Sequence, residues 1–374
     1  MSKPTLLILS FPEISRDARV LKQVGLFKDR YRVVTCSRGP APEGVDEHIR
    51  IPDSESFTYM DGRLITLKMY RAVYWQTPAV AWVRKALAGK HFDVVLADDY
   101  DTVPLALSLK PKHGVHADLH EYSPRQMEHD SAWRRRIKPY REWVIRKYVP
   151  HAKSWTTVCQ GLSDEYEKEF GFRSKIVTNA APYADLAPQP VSDPIRLVHH
   201  GGVGVARGID WMVKAVMQSS ADFVFDLYLK EVSGSQIPAL REIVENDPRI
   251  NVYDAVPYDQ LIPMLNTYDV GLSTILPNTF NLLHALPNKL FEYVQARAGI
   301  ITGPSPEMAR IVRDYDLGIV IPDFSSEELT AAIDGLNPDD ITQWKLNADK
   351  VALDLSSERQ NIGWEQPIEA MLGQ

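Results

Sequence analysis

The chain opens on a continuous apolar run, TLLILSF at Thr5–Phe11. Runs of that length without alternation suit strands buried on both faces, as in a parallel sheet. Ser15–Asp17 then supplies helix-capping residues, and Val20, Val24 and Phe27 recur at helical spacing across Ala18–Lys28. Tyr31–Cys36 is a second apolar strand, so the pattern predicts a β-α-β unit at once. Further strands are predicted at Phe92–Ala97, Val115–Leu119, Ser154–Val158 and Lys175–Thr178. Helices are predicted at Pro78–Ala88, from Val103 onward, across Trp133–Tyr148 and over Asp164–Phe170. Residues 180–194, AAPYADLAPQPVSDP, break the pattern with four prolines and no periodicity, which is linker composition.

The alternation then restarts. Strands are predicted at Arg196–His200, Phe223–Leu229, Ile250–Tyr253, Val270–Ser273, Gly299–Thr302 and Gly318–Ile321. Helices are predicted at Ile209–Gln218, Ile237–Asn246, Asp259–Thr267, Leu286–Arg297, Glu307–Arg313 and Ser325–Leu336, with a helical tail from Pro338. Two alternating halves predict an α/β protein with two Rossmann-like, doubly wound parallel sheets facing a cleft. A length of 374 residues accommodates both. The expected division is 1–185, 186–355 and a C-terminal helix, 356–374, that packs back on the first domain. Ligands of open α/β sheets bind beyond the carboxyl ends of the strands, so loops just after strands are the places to search.

Composition narrows the function. Net charge is −7, which disfavours a nucleic-acid partner. The two cysteines, Cys36 and Cys159, have no metal-ligand spacing and no disulfide pattern, so they give no zinc site and no disulfide framework, and a reducing, cytoplasmic compartment is expected. No apolar stretch reaches the length of a membrane span. Against the acidic whole, Ala132–Lys153 holds Arg134, Arg135, Arg136, Lys138, Arg141, Arg146, Lys147 and Lys153 with Trp133, Tyr140, Trp143 and Tyr148 between them. Such a segment fits peripheral contact with an anionic membrane, or a solvated helix whose aromatic side packs inward.

Four segments carry candidate chemistry. In Asn281–Glu292, NLLHALPNKLFE, Pro287 opens a helix, and Asn288 and Lys289 lie at its start, where backbone N–H groups favour anions. Glu292 lies four residues beyond Asn288 on the same face, where its carboxylate is placed either to accept both hydroxyls of a ribose or to make an ordinary Asn–Glu contact on a surface helix. His199–Gly208 is a glycine-rich turn between a strand and a helix, in which Gly202, Gly204 and Arg207 fit a diphosphate, and Lys230, after the next strand, is a second phosphate candidate. Asp118-Leu119-His120-Glu121 follows a strand in the first half. Ser15-Arg16-Asp17-Ala18-Arg19-Val20 follows the first strand, with Asp17 a helix cap and Arg19 either an anion ligand or the partner of a carboxylate.

PNKLFE, DLHE and DARV together resemble the PNKLFEY-type, DxHE and DxRV motifs of a bacterial subgroup of family-4 retaining glycosyltransferases. The resemblance runs from about Ile14 to Ile321 and implies the GT-B fold. It also implies metal-independent, retaining transfer of a hexose-type sugar from a nucleotide-sugar donor to a glycan or lipid-linked acceptor, with no cofactor. A UDP-sugar is favoured over GDP-mannose, and cell-surface polysaccharide or glycolipid synthesis is the implied setting. By the resemblance Glu292 is the ribose-binding glutamate, His120 and His284 stand near the sugar, Glu121 positions His120 or meets an acceptor hydroxyl, and Asp17 and Arg19 face the acceptor. His284 occupies the place of the family's first glutamate, and the family's additional arginine, several residues before Arg207, falls on a glycine here. The alternatives are a sugar-nucleotide epimerase of the same fold, a dinucleotide-dependent oxidoreductase built on the glycine turn, and a non-catalytic nucleotide-sugar-binding protein.

Overall fold

The computed structural model describes residues 3–202, 208–231 and 237–373. The chain divides into two compact units. The first comprises Met1–Thr178, Thr279–Asn281 and Asn361–Gln374, and the second comprises Asn179–Asn278 and Leu282–Gln360.

In the first unit, β1 (Thr5–Glu13), β2 (Arg32–Arg38), β3 (Glu47–Arg50), β4 (Val94–Asp98), β5 (Gly114–Leu119), β6 (Ser154–Thr157) and β7 (Lys175–Ile176) form one parallel sheet. Its order is β3-β2-β1-β4-β5-β6-β7. Leu6, Leu7, Ile8 and Leu9 are all 0% exposed, so both faces of β1 are covered, as its unbroken apolar run requires. Each such side chain contributes about 1.5–3 kcal/mol by leaving water. The following helix, Ala18–Phe27, turns Val20, Val24 and Phe27 into the same core, and the Asp17 carboxylate caps it by accepting the N–H groups of Arg19 and Val20 at 2.9 and 3.2 Å. The C-terminal helix Ile362–Leu372 adds Trp364 and Ile368 to that core.

The predicted helix across Trp133–Tyr148 is two helices, Ser131–Arg136 and Lys138–Tyr148. Pro139 is the cause, since it lacks an N–H and restricts the residue before it, and it sits in the first turn of the second helix. Strand β3 and the short helices Gly62–Thr66 and Tyr70–Gln76 were not predicted. They are short and half exposed, so periodicity does not mark them.

In the second unit, β8 (Ile195–Gly202), β9 (Phe223–Lys230), β10 (Ile250–Asp254), β11 (Val270–Ser273), β12 (Gly299–Thr302) and β13 (Gly318–Val320) form a parallel sheet of order β10-β9-β8-β11-β12-β13. The helix Asn288–Gln295, placed at Leu286–Arg297 from sequence, presses on this sheet through Tyr293. A Cβ on Gly271 would lie 2.5 Å from the Tyr293 ring, so glycine in β11 permits the close approach. The Tyr293 hydroxyl reaches the carbonyls of Val198 and Leu272, each at 3.3 Å. That contact fixes the height of the helix above the strands, and with it the positions of Lys289 and Glu292.

Candidate functional site

Each unit gathers polar residues at the carboxyl end of its sheet. In the first, Asp118 at the end of β5 is fully buried and receives three donors. The Arg19 guanidinium pairs with it bidentately at 2.8 and 2.7 Å, Gln23 Nε2 donates at 2.6 Å and Thr156 Oγ1 at 2.7 Å. Arg19 also donates to the Val177 carbonyl at 2.7 Å and lies over the Trp364 ring. Of the two readings open for Arg19, pairing with a carboxylate is therefore the one observed. Thr156 gives its proton to Asp118, so it accepts from His116 Nε2 at 2.9 Å, and Ser154 donates to His116 Nδ1 at 2.8 Å. Burial pushes His116 down to about 4, which keeps this imidazole neutral.

His120 sits between two aspartates, with Nε2 2.7 Å from Asp98 Oδ1 and 3.5 Å from Asp118 Oδ2. Ser10 donates to the other Asp98 oxygen at 2.8 Å. Burial works against an imidazolium here, but the attraction of the Asp98 and Asp118 carboxylates outweighs it and raises His120 well above its usual range. Asp118 is subject to the same burial, and Arg19 overrides it, holding this carboxyl well below its usual range.

A cavity of about 360 Å³ opens on this cluster, lined by Asp17, Asp98, Asp99, Asp101 and His120 with Arg141 and several aromatic rings. Burial raises Asp99 to about 6 and, with Asp99 beside it, Asp101 to about 8. Asp17, Asp98 and His120 each offer a ligand atom within 4.8 Å of the others. A cationic His120 already supplies positive charge at that point. Glu121 is exposed, and its carboxylate accepts from Gln126 at 2.8 Å.

In the second unit, Glu292 and Lys289 are both buried, 4% and 8% exposed, on the helix that starts at Asn288. His199 Nδ1 lies 2.8 Å from the Leu272 carbonyl and so carries the ring proton, which leaves Nε2 to accept from Lys289 Nζ at 3.1 Å. The Lys289 ammonium stands over Gly201, 3.7 Å from where a Cβ would be, and the backbone there, φ 122°, is one that glycine adopts readily. Glu292 Oε2 lies 3.4 Å from His200 Nε2, without hydrogen-bond alignment. Burial, helped by Lys289, lowers His200 to about 3, so this imidazole is neutral.

Gly202 at the end of β8 is in register with Lys230 at the end of β9, and Lys230 is exposed there. Gly204 and Arg207 lie outside the described residues. His284 Nδ1 is 3.4 Å from Glu307 Oε1, and Glu307 is 3% exposed. A carboxylate from the first turn of the helix Pro306–Asp314, after β12, thus stands beside His284.

The sequence residues therefore fall into two clusters. Asp17, Arg19, His120 and Glu121 belong to the first unit, and Gly202, Lys230, His284, Asn288, Lys289 and Glu292 to the second. Sequence reasoning gave no role to Asp98, His199, His200 or Glu307. Asp98 carried a signal as the last residue of a buried strand, and so did the adjacent histidines ahead of the glycine turn.

No protein-family model matches the chain, and no curated protein matches its sequence. Solved structures do match its fold. Sucrose-phosphate synthase from Thermosynechococcus elongatus superposes with a TM-score of 0.72 at 12% identity, over 99% of this chain and 100% of that one. HepE from Anabaena, solved with UDP and glucose, gives 0.70 at 14% identity over 98% and 100%. The UDP-forming α,α-trehalose-phosphate synthase from Burkholderia vietnamiensis gives 0.68 at 11% identity over 98% and 100%. The chain thus has the GT-B fold of these glycosyltransferases.

Proposed function

We propose that the chain is a retaining, metal-independent glycosyltransferase. It moves a hexose-type sugar from a nucleotide diphosphate sugar, a UDP-sugar in preference to GDP-mannose, to a hydroxyl of a glycan or lipid-linked acceptor in cell-surface polysaccharide or glycolipid synthesis. The observation that carries this reading is the trio of Glu292, Lys289 and Gly201, gathered at the carboxyl edge of one sheet. That edge is where α/β sheets bind nucleotides, and HepE was solved with UDP and glucose.

In this reading Glu292 accepts the two ribose hydroxyls. Lys289, Asn288, Lys230, Arg207 and the glycine turn at Gly202 and Gly204 meet the diphosphate, whose charge grows as the bond from the anomeric carbon to the phosphate oxygen breaks. The new bond to the acceptor oxygen forms on the same face, and the departing phosphate takes the acceptor proton. His284, with Glu307 beside it, and the cationic His120 bind sugar hydroxyls, while Asp17 and Glu121 receive the acceptor. The protein supplies position and electrostatics rather than covalent chemistry.

No helix among the described residues is long and apolar enough to cross a membrane. Within Ala132–Lys153, Arg134, Arg135 and Arg136 are exposed, whereas Trp133 and Tyr140 are buried and turn away from any membrane surface those arginines would meet.

The test is a panel of sugar nucleotides against thermal unfolding, followed by nucleotide release with sugar acceptors. A ligand at 100 times its Kd stabilises by about 2.7 kcal/mol. Glu292→Ala removes hydrogen bonds to a charged group, each worth about 1.5–3 kcal/mol, and so weakens the donor at least about tenfold. A panel in which no nucleotide sugar raises the unfolding temperature would end the reading.

A further inference from the structure

A second cavity in the first unit, about 1070 Å³, lies apart from the His120 cluster and shares no lining residue with the cavity there. Its wall is aromatic. Tyr70 packs against Trp143 with ring centroids 5.9 Å apart, Trp143 against Tyr148 at 5.7 Å, and Trp75 completes the lining. Its charge is one-sided. Lys68, Arg71, Arg84 and Lys90 line it and no carboxylate does. Lys90 is engaged by Glu47 at 2.7 Å, but among the described residues Lys68, Arg71 and Arg84 have no carboxylate within salt-bridge distance. Arg84 instead lies over Trp75, 5.2 Å from the ring centroid, and Lys147 over Trp143 at 5.1 Å.

At the mouth, Lys68 takes a left-handed conformation, φ 54°, between two apolar side chains that point into water, Leu67 at 68% and Met69 at 51% exposure. A protein of net charge −7 thus carries an aromatic groove rimmed by cations, with an apolar tip beside it.

We propose that this groove and tip dock the chain on an anionic phospholipid surface, with Leu67 and Met69 entering the acyl boundary, the groove taking lipid acyl chain, and Lys68, Arg71 and Arg84 meeting headgroup phosphates. Apolar side chains beside cations give this mode of binding, and each cation adds electrostatic attraction that salt screens. The contact centres on residues 67–90 and the aromatic side of Lys138–Tyr148, not on the arginine run at 134–136. It rests on the lipid-linked acceptor reading for its purpose only, because vesicle binding is measured without sugar transfer.

The test is sedimentation of the full chain with vesicles of phosphatidylglycerol and phosphatidylcholine, against phosphatidylcholine alone, at low and high salt. The wild type should sediment with the anionic vesicles and be released by salt. Leu67→Glu/Met69→Glu and Arg71→Glu/Arg84→Glu, checked for an unchanged unfolding temperature, should each bind at least about tenfold more weakly, since each reverses two contacts with the surface. Brominated acyl chains in the same vesicles should quench tryptophan emission. Absent wild-type binding, full binding by both double variants, or binding without quenching would each overturn the proposal. So would loss confined to an Arg134→Glu/Arg135→Glu/Arg136→Glu variant.

Discussion

His120 and His200 each stand beside a carboxylate at the carboxyl end of a parallel sheet, 2.7 Å from Asp98 and 3.4 Å from Glu292. They carry opposite charge. His120 has two aspartates within reach and is held as the cation, while His200, with a buried ammonium nearby, is held neutral. Burial disfavours the charged imidazole in both places, so burial does not separate them. The sign of the neighbouring charge does. Identical side chains at the carboxyl ends of strands in the two halves thus come prepared for different work, one as a positive group and the other as neutral polar lining.

The sharpest way to break this contrast is to remove the charge that anchors the first cluster. Asp118→Asn leaves the Arg19 guanidinium buried against a neutral amide, and breaking such a pair costs about 3–5 kcal/mol. Denaturant unfolding should show that loss, and a change under about 1 kcal/mol would mean that the pair is solvated.

Asp98→Asn is milder. With its nearest carboxylate gone, His120 should titrate at lower pH than in the wild type, as followed by the NMR shift of its ring protons. His120 is raised in the fold, so its stabilising contribution is full below its unfolded value of about 6.5 and is lost as pH rises through the folded value. In Asp98→Asn that loss begins at lower pH.

Lys289→Met should have the smallest effect. Removing the ammonium should raise His200 from about 3, while burial still keeps it below its ordinary value. Because the unfolded chain takes up a proton that native His200 refuses, wild-type stability falls as pH drops from about 6.5 toward about 3. The variant should fall less steeply. An unmoved His200 titration would show that burial alone sets it.

Most of the alternation was legible because parallel strands buried on both faces are unbroken apolar runs. Helix Ile209–Gln218 and strands Val270–Ser273 and Gly299–Thr302 match their predicted bounds. What stayed hidden was set by long-range contact. Nothing near Arg19 in sequence points to Asp118, which lies 99 residues away, and nothing near His120 points to Asp98 on the adjacent strand. Glu307 is similar, an ordinary helix-start glutamate until the fold sets it beside His284. The aromatic groove was half visible, since Trp143 and Tyr148 stood out among the basic residues while Tyr70 and Trp75 lay in short helices without clear periodicity.

Trp364 fills the core of the first unit with no exposed surface, and its ring lies 4.7 Å from the Arg19 guanidinium. The core laid down by β1 and the helix Ala18–Phe27 therefore stays incomplete until the far later segment around Trp364 has been made. Until then the apolar face beside β1 lacks part of its cover, so synthesis passes through a stage in which a chaperone, or another nascent chain, can reach it.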